Sequence, residues 1–357
     1  MSAGIPRSVH VDGVEWVVER VWPAGEDGRT PLEAHADGAV RGGYAEGDGV
    51  ALLAPEDDGA LPALAGLAAE GEVVSHRPGK RAVVRLPMGR GYAKVVPPGR
   101  ASRVIDAHAR GASFAGAFRI PAIVPDDREQ RGVVRFTAVG GRTLYDLGAD
   151  PVREESQWRA AWEAWETSWT AVVDDARVDH LPAHEAEDEA RVMTEWASRA
   201  SERLPAGADA RDELAALAGH LAAQVEKHST DADALAHRDL HDKQLLWDGD
   251  EGIALLDLDT CVRADPGLDL GNLAAHVDLA LRHGRWPRRR GRIAFASIGR
   301  AADALGVEPG RLSAWRAAAQ FRVACVNLLR PRWRDRSERA LEGMIRDFRT
   351  EAGPWEA

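Results

Sequence analysis

The chain has only two cysteines in 357 residues, Cys261 and Cys325, far apart in sequence. That excludes a disulfide framework and offers no zinc-ligand spacing. They read as two small buried hydrophobes in a reducing compartment. No apolar run approaches the roughly 20 residues that a membrane-spanning helix needs. The opening MSAGIPRSVHVDG lacks a basic start followed by an apolar stretch, so no signal peptide is expected and a cytoplasmic protein is. Excess positive charge is also missing. The formal net charge is -11, which argues against a nucleic-acid partner. There is no internal repeat and no long low-complexity segment.

What remains is the composition of a globular protein, 45% hydrophobic and 29% charged, with length for two or three compact lobes. Residues 1–70 read as a small β-rich module. Glu15–Trp22 and Gly49–Ala54 are strand-like runs, and turn formers such as Gly42-Gly43 lie between them. A short helix from Leu61 is expected to end at Gly71. Residues 71–145 read as strands around one helix: Glu72–Ser75, Arg81–Leu86, Gly91–Val96, the helix Ala101–Arg110, then Arg131–Val139. Residues 146–357 turn helical. Trp158, Trp162, Trp165 and Trp169 recur at helical spacing, which predicts one apolar face packed into a core rather than a ligand platform. Further helices are expected near Glu189–Arg203, Asp212–His228, Asp269–His283, Arg311–Leu329 and Ser337–Arg349. The acidic run around His184–Ala190 reads as a solvated face.

The chemistry concentrates in His237–Asp259, HRDLHDKQLLWDGDEGIALLDLD. A loop carboxylate, Asp239, is followed five residues on by a side-chain carbonyl, Gln244. Leu245–Trp247 and Ile253–Leu256 then read as a hairpin that returns a second carboxylate, Asp257, toward the first. Phosphoryl transfer asks for this set: a carboxylate to orient and deprotonate a hydroxyl, a cation against the phosphates, and hard oxygen ligands for Mg²⁺.

HRDLHDKQ resembles the kinase catalytic loop H-R-D-L-x-x-x-N, with Gln244 in place of Asn. LDLD at Leu256–Asp259 resembles the metal-binding motif of aminoglycoside phosphotransferases. RADPGLDLGNLA at Arg263–Ala274 is similar to that family's G-D-P-x-x-D-L-A segment. The chain is thus identified as a member of the aminoglycoside phosphotransferase/choline kinase-like group of small-molecule kinases. Its H-x-D-x-H-x-x-Q pattern resembles maltokinase-like members. The resemblance covers about Val73–His283. It implies an α+β, bilobal, protein-kinase-like fold preceded by the β-rich module, with ATP and Mg²⁺ as cofactors and a small-molecule hydroxyl as acceptor.

Residue by residue, the resemblance implies Asp239 as base, with His237 shaping the loop. Gln244 and Asp257 become metal ligands. Lys94 in GYAKVV is the strand lysine that contacts phosphates, and the hinge Phe136–Val139, including Ala138, receives adenine. The usual helix glutamate partner of that lysine is missing, and Asp106 is the only acid on Ala101–Arg110. The turn His76–Arg81 takes the place of a glycine-rich phosphate loop. His241 and Asp242 are candidate substrate contacts. Asp259 either reaches the metal or holds the turn, and Asp269 either caps a helix or braces the loop. For the acceptor, a sugar or amino sugar ranks first, an aminoglycoside-like antibiotic second, and a Ser or Thr of a biosynthetic peptide third. The rival of a different class is a catalytically inactive kinase fold that acts as a scaffold.

Overall fold

The computed structural model describes residues 5–47, 49–175, 178–203 and 208–352. The chain opens with an antiparallel sheet of five strands in sequential order: β1 (Ser8–Val11), β2 (Val14–Val21), β3 (Thr30–Ala36), β4 (Ala39–Glu46) and β5 (Gly49–Leu52). A short helix, α1 (Leu64–Glu70), leads into a second sheet built from β6 (Glu72–Arg77), β7 (Arg81–Arg85), β8 (Tyr92–Val95), β9 (Ile123–Val124) and β10 (Val133–Phe136), ordered β6-β7-β8-β10-β9. Helix α2 (Ala101–Arg110) lies between β8 and β9. Strand alternation sorts the second sheet. Ala82, Val84, Ala93, Val95 and Val133 are fully buried with Leu61, Leu64 and Leu67 on the α1 side. Lys94, one residue off that register, faces the other way.

The remainder is mainly helical: α3 (Leu144–Ala149), α4 (Glu155–Asp175), α5 (Ala186–Ser201), α6 (Ala208–His228), α7 (Gly267–Arg282), α8 (Arg288–Ala304), α9 (Pro309–Leu328) and α10 (Arg334–Ala352). Two small sheets are set among them. One joins β11 (Arg142–Thr143) to the hairpin of β14 (Leu245–Asp248) and β15 (Gly252–Leu255). The other joins β12 (Ala183–His184), β13 (Ala234–Ala236) and β16 (Val262–Ala264). The tryptophan stripe of α4 is core: Trp158, Trp162, Trp165 and Trp169 are each at most 1% exposed. They share that core with Leu245, Ile253 and Leu255 of the hairpin, so the loop between β13 and β14 is mounted on a fully buried core. The architecture is the expected α+β bilobal one, with the β-rich module at its N-terminus.

Some expectations need correction. Gly42 and Gly43 are not a turn but the middle of β4. A Cβ at Gly42 would stand 2.9 Å from the His76 ring, and one at Gly43 would stand 2.4 Å from the Ala51 carbonyl. Gly42 serves close approach to the second sheet and Gly43 close approach to the neighbouring β5, not chain reversal. The acidic run His184–Ala190 is not a solvated face. Glu189 is 4% exposed and lies 3.1 Å from the buried His184 ring. Helix α8 was not foreseen from its arginine- and glycine-rich sequence.

The N-terminal sheet is tied to both lobes. Toward the second sheet, Glu33 is 1% exposed and accepts from the His76 N–H (2.7 Å) and the Ser75 hydroxyl (2.8 Å). The Gly42 N–H donates to His76 Nδ1 (2.9 Å), and His76 Nε2 donates to Asp58 (2.9 Å). Toward the helical lobe, Leu329 joins the core of Trp16, Val18 and Leu32, and Arg7 pairs with Asp335 at 2.9 Å. Burial alone would raise the Glu33 carboxyl. His35, Arg20 and the donors of His76 and Ser75 outweigh it, and the pKa ends below the ordinary value. A lowered carboxyl stabilises the fold above its unfolded pKa, and this contribution fades as pH falls through the folded value. Glu33→Gln is therefore expected to cost about 1–3 kcal/mol in urea unfolding at neutral pH. The gap to wild type should close as the solution is acidified through the lowered Glu33 pKa.

Candidate functional site

Between the second sheet and the β14–β15 hairpin lies a cleft of about 390 Å³. Lys94 enters it from β8, Gln244 from the end of the catalytic-loop segment, and Asp257 and Asp259 from the turn after β15. These four residues lie 94 to 259 positions along the chain, and only the two-lobed fold brings them together. Phe136, Thr137 and Val139 line the same cleft, while Ala138 between them is exposed and off its wall. Asp239 is half-buried and does not line the cleft, but it is close enough to Asp257 to feel that charge.

The Lys94 ammonium bonds the Asp259 carboxylate and lies 3.9 Å from Asp257 Oδ1. Asp106 is exposed on α2, so the acid that meets this lysine comes from the turn after β15 rather than from the helix. Asp257 has a left-handed backbone, φ 57°, without being glycine. Backbone held there by its surroundings stores strain that functional sites often carry. Here it turns the chain so that Asp257 and Asp259 both reach the cleft.

The loop bearing Asp239 is shaped by groups that never reach the cleft. Asp269, 1% exposed in the first turn of α7, accepts from the His237 N–H (2.6 Å) and the Leu240 N–H (3.4 Å). It braces the loop and is not the helix cap. The His237 ring is fully buried. Its Nε2 donates to the Leu256 carbonyl (2.8 Å) and its Nδ1 accepts from the Asp239 N–H (3.3 Å), which links the loop to the end of β15. Asn272, also on α7, donates to the Leu240 carbonyl (2.8 Å) and accepts from Arg322 (2.9 Å). Arg322 in turn lies 3.5 Å from Glu189. Nothing in the sequence pointed to Glu189, Arg322 or His276. Asn272 sits in the GNLA segment, where family likeness was the available signal.

Burial of the loop pushes the Asp239 pKa up; Arg322 and His237 oppose the shift and Asp257 adds to it. Its carboxylate lies 3.9 Å from His241 Nε2. The His241 ring stacks on His276 at 4.6 Å between centroids. Burial pushes the His241 pKa down to about 3 and His276 well below its ordinary value, so both imidazoles are neutral at pH 7. Asp242 beside them is pushed up to about 7 by burial. Asp239 therefore faces the neutral His241 ring, on which neutral His276 stacks, with Asp242 about half ionised near pH 7.

The Asp269 carboxyl pKa is itself raised by burial, against the pull of His237 and the backbone donors. Replacing it by alanine would leave two buried N–H groups without partners. Asp269→Ala is expected to lower stability by about 2 kcal/mol or more in denaturant titration. Trypsin cleavage after Arg238 should quicken in step, since that residue already sits at φ 69° and depends on the brace.

Comparison with known proteins agrees with this geometry. The sequence profile of the APH, or phosphotransferase enzyme, family matches residues 73–321. No curated protein sequence matches the chain. Among solved structures, the aminoglycoside phosphotransferase APH(3'')-Id from Streptomyces rimosus is 22% identical with a TM-score of 0.52, over 73% of this chain and 96% of that one. The same enzyme in complex with ADP and streptomycin matches at 20% identity and a TM-score of 0.51, over 73% and 96% of the two chains. APH(4)-Ia, as a thermostable mutant in ternary complex with AMP-PNP and hygromycin B, matches at 13% identity and a TM-score of 0.52, over 79% and 95%. These likenesses carry the fold. The profile match, over the stretch that holds Lys94, Asp239, Gln244 and Asp257, carries more: the chain belongs to the phosphotransferase enzyme family and is an ATP-dependent phosphotransferase that acts on a hydroxyl group.

Proposed function

We propose that the chain transfers the γ-phosphoryl group of ATP to a hydroxyl of a sugar or amino sugar, with Asp239 as the base and Mg²⁺ held by Gln244 and Asp257. The observation that carries this reading is the meeting of Lys94, Gln244, Asp257 and Asp259 in one cleft, with Asp239 on a braced loop at its edge. The donor set fits Mg²⁺. It consists of carboxylate and amide oxygens, and two carboxylates face a single ammonium, so one more cation is electrostatically welcome. When bound, Mg²⁺ neutralises charge on the phosphates. Lys94, released in part from Asp259, would then meet the phosphates, and the segment of Phe136, Thr137 and Val139 would receive the adenine.

The transition state of phosphoryl transfer is loose, so positioning and charge carry most of the acceleration. Asp239 aligns the acceptor hydroxyl and takes its proton. Burial raises its pKa and so makes it a better proton acceptor than an ordinary aspartate. The neutral imidazoles of His241 and His276 suit neighbouring hydroxyls, which both donate and accept. An uncharged sugar ring is thus served as well as an amino sugar, and this favours the sugar reading over a polycationic antibiotic such as the streptomycin of the Streptomyces rimosus complex.

Three expected outcomes follow. ATP with Mg²⁺ raises the melting temperature, and Asp257→Ala weakens that rise. No shift at millimolar ATP would contradict the reading. In an ADP-release screen over sugars, amino sugars, aminoglycosides and peptides, Asp239→Asn should lower turnover of the best acceptor by about 10²-fold or more with nucleotide binding nearly unchanged. Equal rates would remove Asp239 from the chemistry, and tight ATP binding with no acceptor turned over would favour a scaffold. The wild-type rate should fall as pH drops through the Asp239 pKa, with its acid limb above that of an ordinary aspartate.

A further inference from the structure

The turn that stands where a glycine-rich phosphate loop would be has its amides engaged elsewhere. The Gly79 N–H donates to Asp58 (2.9 Å) and the Lys80 N–H to the Arg77 carbonyl (3.1 Å). A phosphate cradle depends on free amides that point at the ligand, and these two do not. The cationic side chains that line the cleft are Lys94, Arg81 at the end of this turn, and Arg20.

The cleft offers a side chain from an unexpected place. Arg20, on β2 of the N-terminal sheet, lines it together with Lys94, Gln244 and Asp257. A β-bulge puts it there. The pairing of β2 with β3 slips between Val18 and Arg20. Strict alternation from Trp16 and Val18 would turn residue 20 into the core of the sheet. The bulge instead buries Val21 and leaves Arg20 outward. A second bulge faces it, between Val73 and Ser75 of β6, and Val74 and Ser75 also line the cleft.

Arg20 is held loosely. Its Nε lies 3.5 Å from Glu33 and its Nη1 lies 3.5 Å from the Ser75 hydroxyl, and its side chain is 46% exposed. Glu33 meanwhile is shared with His35, Ser75 and the His76 amide. A second guanidinium, partly buried Arg330 just past α9, is close enough that burial and the charge of Arg20 push its pKa down to about 10. Glu19, Glu33 and Asp239 oppose that shift, so carboxylates already neighbour this second guanidinium.

We infer that Arg20 is a catalytic residue of this phosphotransferase, contacting the γ-phosphate of the bound nucleotide from the N-terminal sheet. The inference rests on the phosphotransferase reading above. It makes the sheet, which carries no catalytic motif, a working part of the active site, with the charge-stabilising task that an arginine finger performs in other phosphoryl-transfer enzymes.

The test needs no acceptor. Dissociation constants for AMP-PNP and for ADP, each with Mg²⁺, are measured by calorimetry on the full chain and on Arg20→Ala. ADP is the internal control for a folded, competent cleft. The expected result is AMP-PNP binding weakened about tenfold or more with ADP affinity unchanged. Arg20→Lys, which keeps the charge without the fork, should fall between the alanine variant and wild type. Equal weakening of both nucleotides would assign Arg20 a structural role and overturn the proposal, as would unchanged AMP-PNP affinity. Should the alanine variant lower the melting temperature, the same ratio is read on Arg20→Gln. Failure of the wild type itself to bind either nucleotide would instead sink the ATP reading, and so is distinguishable from failure at Arg20.

Discussion

One buried carboxylate sets the geometry on which the rest of the site depends. Asp269 receives two backbone N–H groups of the catalytic loop from inside the first turn of α7. A buried carboxylate is costly unless donors surround it. Here the donors belong to the loop itself, so satisfying Asp269 and shaping the loop are one event. The relay of Asn272, Arg322 and Glu189 repeats the device from the other side, reaching Leu240 through two further helices. The Asp239 loop is thereby positioned by residues of α5, α7 and α9.

The opposite wall is organised by charge. Lys94 stands between two acids, and the acid it bonds is Asp259, two residues after Asp257. In a protein whose α2 contributes no glutamate, that arrangement supplies the strand lysine with its acidic partner. It also leaves the carboxylates in excess, which is the electrostatic condition for taking up a divalent cation.

The N-terminal sheet joins these halves. Glu33 and His76 secure it to the second sheet, while Leu329 and the Arg7–Asp335 pair secure it to the helical lobe. The module is thus anchored to both lobes, and the backbone from which Arg20 extends into the cleft is fixed by its sheet. Two facing bulges, at Val18–Arg20 and Val73–Ser75, fall where the sheet meets the cleft. Local irregularity in otherwise regular strands is the usual means of redirecting a side chain without giving up the ladder.

The sequence by itself determined the elements whose signal is local. The tryptophan stripe of α4 was readable because helical period and burial coincide, and the loop–hairpin at His237–Asp259 because its motif is contiguous. Lys94 was readable because a lone charge stood on an apolar strand. Three of the strands in the first sheet were not legible: β1 and β3 lack a strong apolar alternation, and β4 carries two glycines whose role is close packing. Glu189 read as surface because acidity is what a sequence displays, while its burial against His184 and Arg322 depends on helices far along the chain. The partner of Lys94, the brace at Asp269 and the presence of Arg20 in the cleft were decided only by the tertiary structure. Each joins residues far apart in sequence, and a bulge or a buried ion pair leaves no periodic trace along the chain.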